Sequence, residues 1–148
     1  MSAPGPGQVL FSFVRHWSRR SPDAATDNGR LVLVTEAVHA LARRGIAATV
    51  NAVGNEIGID QSGASRLVGA ATEAGLLTMR APDHDGRRRH ATVTPSGHAL
   101  LASAHDWQEQ VFDRLTEGWS PQRRRDFQRA MVDLVDRSYE SAAATRPS

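Results

Sequence analysis

Apolar residues recur along most of this chain at steps of three and four, the spacing of one face of a helix, and glycines punctuate the runs. In "QVLFSFVRHWSRR", Val9, Leu10, Phe13, Val14 and Trp17 form one stripe that ends in basic residues suited to a helix C-terminus. Residues 1–7, "MSAPGPG", read as a tail and "SPDAATDNG" as a loop. "RLVLVTEAVHALARRG" predicts a second helix, with Leu31, Val34, Val38, Leu41 and Ala42 facing one way and Gly45 as its stop. In "TVNAVGNEIGI", Thr49 is a candidate N-cap ahead of Val50, Val53 and Ile57, and Gly58 breaks the run. Asp60 caps "QSGASRLVGAATEAG", whose inner face is Ala64, Leu67, Val68 and Ala71 and whose end is Gly75.

The pattern then changes. Residues 76–80, "LLTMR", and 90–94, "HATVT", are short strands joined across the turn dipeptide Asp85-Gly86. Thr94-Pro95 is a helix start, a cap followed by proline at the first helical position, and Ser120-Pro121 repeats it. The first of these helices carries Leu100, Ala104, Trp107, Val111 and Leu115; the second carries Phe127, Met131, Leu134, Val135 and Tyr139, with fraying expected from Ser141. No repeat and no long linker divides the 148 residues, so one domain is expected.

Helix, glycine turn, helix and hairpin, in that order, make a winged helix-turn-helix. The expected fold is mainly α (α+β), with a two-stranded wing. The turn "GID" needs a positive backbone angle, which Gly58 supplies without steric cost. The helix after it offers Gln61, Ser62, Gly63, Ser65 and Arg66 near its N-terminus, a slim polar face that fits a major groove about 12 Å wide. Gln61 and Arg66 can reach base edges or phosphates. The hairpin presents Arg87, Arg88 and Arg89 beyond Asp85, and arginines on such a tip suit the narrow, strongly negative minor groove. Asp85 is spaced to hold the Arg87 guanidinium by a charge-assisted bond. Arginines alone would read as a solvated charge run; directly behind a helix-turn-helix they read as a wing.

Composition adds limits. The net charge is only +2, although the pI is about 10.3, because all 18 basic residues are arginine. A near-neutral total does not argue against nucleic acid when the charge is localised. The absence of cysteine excludes disulfides, thiolate zinc sites and iron–sulfur clusters. No apolar run nears the roughly 18 residues of a membrane span, and no leader-like N-terminus is seen, so the cytoplasm is the expected compartment.

The stretch "GIDQSGASRLVGAATEAGLLTMR…DHDGRRRHATVTPSG" resembles the MarR family of multiple-antibiotic-resistance-type regulators. The features that carry the likeness are Ser65-Arg66-Leu67-Val68, Gly75-Leu76, and Asp85-x-Arg87 followed by Thr94 and Gly97. "TVNAVGNEI" fits the first helix of the motif, and the likeness extends over residues 30–101. It implies one domain over 1–148, with dimerisation helices in 8–29 and 95–142 around a DNA-binding lobe in 30–94. The stripes on residues 9–17, 100–115 and 127–139 support this independently, because a single winged helix cannot cover them. The implied function is that of a homodimeric regulator, a repressor, on double-stranded DNA with a palindromic operator. Gln61, Ser62, Ser65, Arg66, Arg87, Arg88 and Arg89 are then the DNA-binding residues, with Asp85 supporting the wing.

The resemblance also implies release by a small-molecule effector, for which His16, Trp17, His39 and Trp107 are the candidates. No cofactor or metal is expected: His98 and His105 are seven apart, two helical turns, and no His-x-x-x-His or carboxylate cluster appears. Nor is an enzyme expected, since no glycine-rich phosphate loop, nucleophile elbow or paired carboxylates are present. The competing reading is a winged-helix protein-interaction module that does not bind DNA specifically.

Overall fold

The computed structural model describes residues 2–18, 20, 27–81 and 89–144. Its elements are α1 (Pro6–Trp17), α2 (Asp27–Arg43), α3 (Val50–Ile57), α4 (Gln61–Glu73), β1 (Leu77–Arg80), β2 (His90–Val93), α5 (Pro95–Leu115) and α6 (Pro121–Ala144). Two compact units divide the chain, residues 1–105 and 106–148.

In the first unit the core is built by α2, α3, α4 and the hairpin. Val34, Ala37, Val38, Leu41, Val53, Val68, Ala71, Leu77 and Ala91 are all buried in one cluster. The expected inner face of α2 is corrected at one position: Ala42 is exposed, and Ala37 lies inside with Val34, Val38 and Leu41. Thr35 is also buried, its hydroxyl donating to the Leu31 carbonyl at 2.6 Å, so that no polar atom of it is left without a partner.

Local chemistry sets the helix ends. Thr49 caps α3 by accepting from Ala52 N at 3.1 Å, and Asp60 caps α4 by accepting from Gly63 N at 2.7 Å. Between these helices Gly58 takes φ +82°, the left-handed conformation that closes the turn. β1 and β2 pair antiparallel with Leu77 opposite Val93 and Arg80 opposite His90. An isolated bridge, Ala48 to Ala91, adds a third segment to this small sheet.

Three boundaries differ from expectation. α1 begins at Pro6, inside the segment read as a tail, because proline at the first turn is pre-set for a helix and Gln8 Oε1 accepts from Gly5 N. α2 begins at Asp27, inside the expected loop. α6 continues through Ala144, past the fraying expected from Ser141.

The second unit holds the end of α5 and all of α6. Phe112 stacks on Phe127 at 5.9 Å, Trp119 meets Phe127 edge-on, and Val111 and Thr116 are buried. Arg124 joins the two helices, donating to Asp113 Oδ1 and to the Thr116 carbonyl. Leu115, expected on the inner stripe, is exposed. Among the described residues, no helix is long and apolar enough to cross a membrane.

Candidate nucleic-acid interface

The first turns of α4 divide cleanly between an inner and an outer side. Ala64, Val68 and Ala71 are buried, at steps of four and three, and pin the helix to the core. The same periodicity turns Gln61, Ser62, Ser65 and Arg66 to solvent. All four sequence-derived contact residues of this helix therefore lie exposed on one edge, with half-buried Gly63 between them. The small side chains on this edge allow a close approach by a bulky, flat or grooved partner. The free N–H groups of a helix start favour anions such as phosphate.

The wing supplies a second charged segment. Arg80 and Arg89 are exposed, and His90 stands opposite Arg80 in the hairpin register. Thr78 and Thr92 face each other across the strands with their hydroxyl oxygens 2.8 Å apart. Asp85, Arg87 and Arg88 lie outside the described residues. Arg89 is the one member of the arginine triplet that lies within them.

The four effector candidates fall in different places. His16 and Trp17 are neighbours at the end of α1, their rings edge to face at 5.5 Å, and His16 Nε2 accepts from Arg20 Nε. His39 of α2 meets two histidines of α5, His98 at 5.8 Å and His105 at 6.4 Å between ring centroids. His105 Nε2 lies 2.8 Å from Glu36 Oε2. Trp107 is half-buried in the second unit. Among the described residues, no three histidine or carboxylate side chains are placed to hold one metal ion.

Sequence reasoning missed several residues that position the interface. Arg44, just past α2, reaches Glu56 of α3 at 2.5 Å. Ala48 bridges to Ala91 of β2. The meeting of His39 with His98 and His105 joins residues from distant helices, and no local pattern announces it. Thr94 was legible as a cap and as part of the resemblance; its hydroxyl also donates to the Gly75 carbonyl at 2.6 Å.

A recognition-type helix held outward by a buried underside, followed by a basic hairpin, defines a winged helix-turn-helix. Residues 33–88 match the model of the MarR family. No curated protein matches the sequence. The fold is shared with solved structures over most of the chain. A mutant of MepR from a multidrug-resistant S. aureus clinical isolate aligns with a TM-score of 0.69 at 15% identity, covering 90% of this chain and 98% of that one. A MarR family transcriptional regulator from Silicibacter pomeroyi gives 0.64 at 20% identity, covering 95% and 99%. BpsR of Bordetella bronchiseptica, whose DNA binding is regulated by 6-hydroxynicotinic acid, gives 0.56 at 22% identity, covering 87% and 97%. At these identities the likeness is one of fold.

Proposed function

We propose that this chain is a homodimeric transcriptional regulator that binds a palindromic operator in double-stranded DNA and represses by occupying a promoter. Gln61, Ser62, Ser65 and Arg66 meet the major groove, and Arg87, Arg88 and Arg89 hold the backbone or minor groove beside it. The observation that carries this reading is the outward edge of α4: its polar residues are exposed while Ala64, Val68 and Ala71 anchor its other side. The match of residues 33–88 to the MarR family model supports it.

Losing one good base contact costs about 1–3 kcal/mol and relaxes specificity, whereas losing a phosphate contact weakens all sites alike and flattens the salt dependence. Arg66→Ala should therefore weaken operator binding with little change in melting temperature, and Arg87→Ala should do the same through the wing. Footprinting on genomic fragments followed by gel-shift titration at fixed salt measures both. A protein that protects no palindrome, and instead pulls down an acidic protein partner, would be the interaction module rather than a regulator.

A small effector belongs to the same reading, supported by the fold shared with BpsR. Its candidate contacts are His16, Trp17, His39 and Trp107. A compound that releases the wild-type protein from DNA should fail to release Trp17→Ala while that variant still binds its operator.

A further inference from the structure

Where the recognition helix ends and α5 begins, three elements meet within a few atoms. Thr94 Oγ1 donates to the Gly75 carbonyl just past α4, at 2.6 Å, and accepts from Gly97 N at 3.1 Å. Thr94 N donates to the Leu76 carbonyl at 3.0 Å. One hydroxyl thus caps α5 and grips the end of α4, using its donor and an acceptor together. Gly97 is buried against the same link. A Cβ at that position would run into the Leu76 carbonyl oxygen and come within 2.7 Å of Val93 Cγ1. Carbon atoms do not approach so closely, so α5 lies as near to the α4–β1 connection as backbone allows.

We infer that Thr94 and Gly97 are positioning residues that fix the angle between the recognition helix and α5, and so set the half-site spacing the protein reads. This rests on the proposed binding of a palindrome by a dimer. The magnitudes make the angle matter. The part of α5 in the first unit, residues 95–105, is about 16 Å long at 1.5 Å per residue. A tilt of about 12° at its first turn moves the end of that part by about 3 Å. The rise per base pair is about 3.4 Å, so a small change at the junction equals a one-base-pair change in spacing.

The test is a gel-shift series with the full chain on its footprinted operator, with base pairs inserted or deleted between the half-sites. A single half-site serves as the control. Wild type should show one preferred spacing. Thr94→Val keeps the branched shape but loses both hydroxyl bonds; it should shift that optimum or reduce discrimination against neighbouring spacings about fivefold or more, the lower range of ordinary site coupling. Its half-site affinity should not change, and Thr94→Ser should restore the wild-type profile. Gly97→Ala leaves every hydrogen-bonding atom in place and alters only the approach, so it should shift the optimum independently.

If Thr94→Val and Gly97→Ala both keep the wild-type spacing profile, or if Thr94→Ser shifts it as Thr94→Val does, the inference is overturned. A wild type that binds no palindrome overturns the DNA-binding reading itself, and this inference with it.

Discussion

Arg44 and Glu56 are twelve positions apart in the chain, yet their side chains meet at 2.5 Å and are only 26% and 14% exposed. Glu56 lies in the last turn of α3, where the helix dipole disfavours a negative charge, and the guanidinium offsets that. Removing Glu56 takes a charge-assisted bond from a half-buried guanidinium. Glu56→Ala should therefore destabilise the protein by about 1.5–3 kcal/mol, the range for hydrogen bonds to charged groups, and Glu56→Gln by less. Thermal denaturation checks this, and an unchanged melting temperature in Glu56→Ala would contradict it. The pair could not be read from sequence, because nothing local to Arg44 says that α3 will fold back beside it. The caps could be read: Thr49, Asp60 and Thr94 each bond a backbone N–H three residues ahead, so a short window holds all the relevant chemistry. The exposed edge of α4 was legible for a related reason, since helical spacing alone decides which side Ala64 and Val68 bury.

Each element's start depends on such local bonds, and α4 shows what one of them does for the interface. The Asp60 carboxylate accepts from Gly63 N at 2.7 Å and so holds the first turn that carries Gln61 and Ser62. Losing an N-cap of this kind costs about 1 kcal/mol. Asp60→Ala should lower the melting temperature by a few degrees, whereas Asp60→Asn, an equally good cap, should leave it near wild type. Equal losses in both variants would mean that the charge matters and the cap does not. α6 begins differently, with Arg123 and Arg124 in a first turn that holds no acidic residue. Its Asp126 carboxyl is held below the ordinary carboxylate range chiefly by Arg129, with help from Gln122. A depressed carboxyl contributes above its unfolded value and loses that contribution as pH falls through its folded one, so this exposed pair acts at neutral pH and is lost in acid. The elements hardest to foresee were those completed by tertiary contact: the Ala48–Ala91 bridge lacks any strand pattern of its own, and the early start of α2 lies in a stretch of loop-like composition.

At the scale of the whole molecule, the apolar faces of two helices require a cover. On α1, Val9, Phe11, Phe13 and Val14 are half-exposed or more, and the helix buries none of its residues. On α6, Phe127, Val132, Leu134, Val135 and Tyr139 are also exposed. Scattered single apolar residues on a surface mean little, but here nine large side chains concentrate on two helices. Neither helix is long and apolar enough to cross a membrane. A second copy of the chain offers the same faces in return, and a two-fold axis makes such a surface complementary to itself. Sedimentation should therefore show a dimer at micromolar concentration. The melting temperature should also rise with protein concentration, because association stabilises only the folded state. Charge placed on the α6 face, as in Leu134→Arg, should produce a monomer. That monomer should also lose most of its operator affinity, since two half-sites are then read by separate molecules instead of one. A wild-type protein that stays monomeric at these concentrations, with a melting temperature independent of concentration, would show that α1 and α6 close on something other than their own copy.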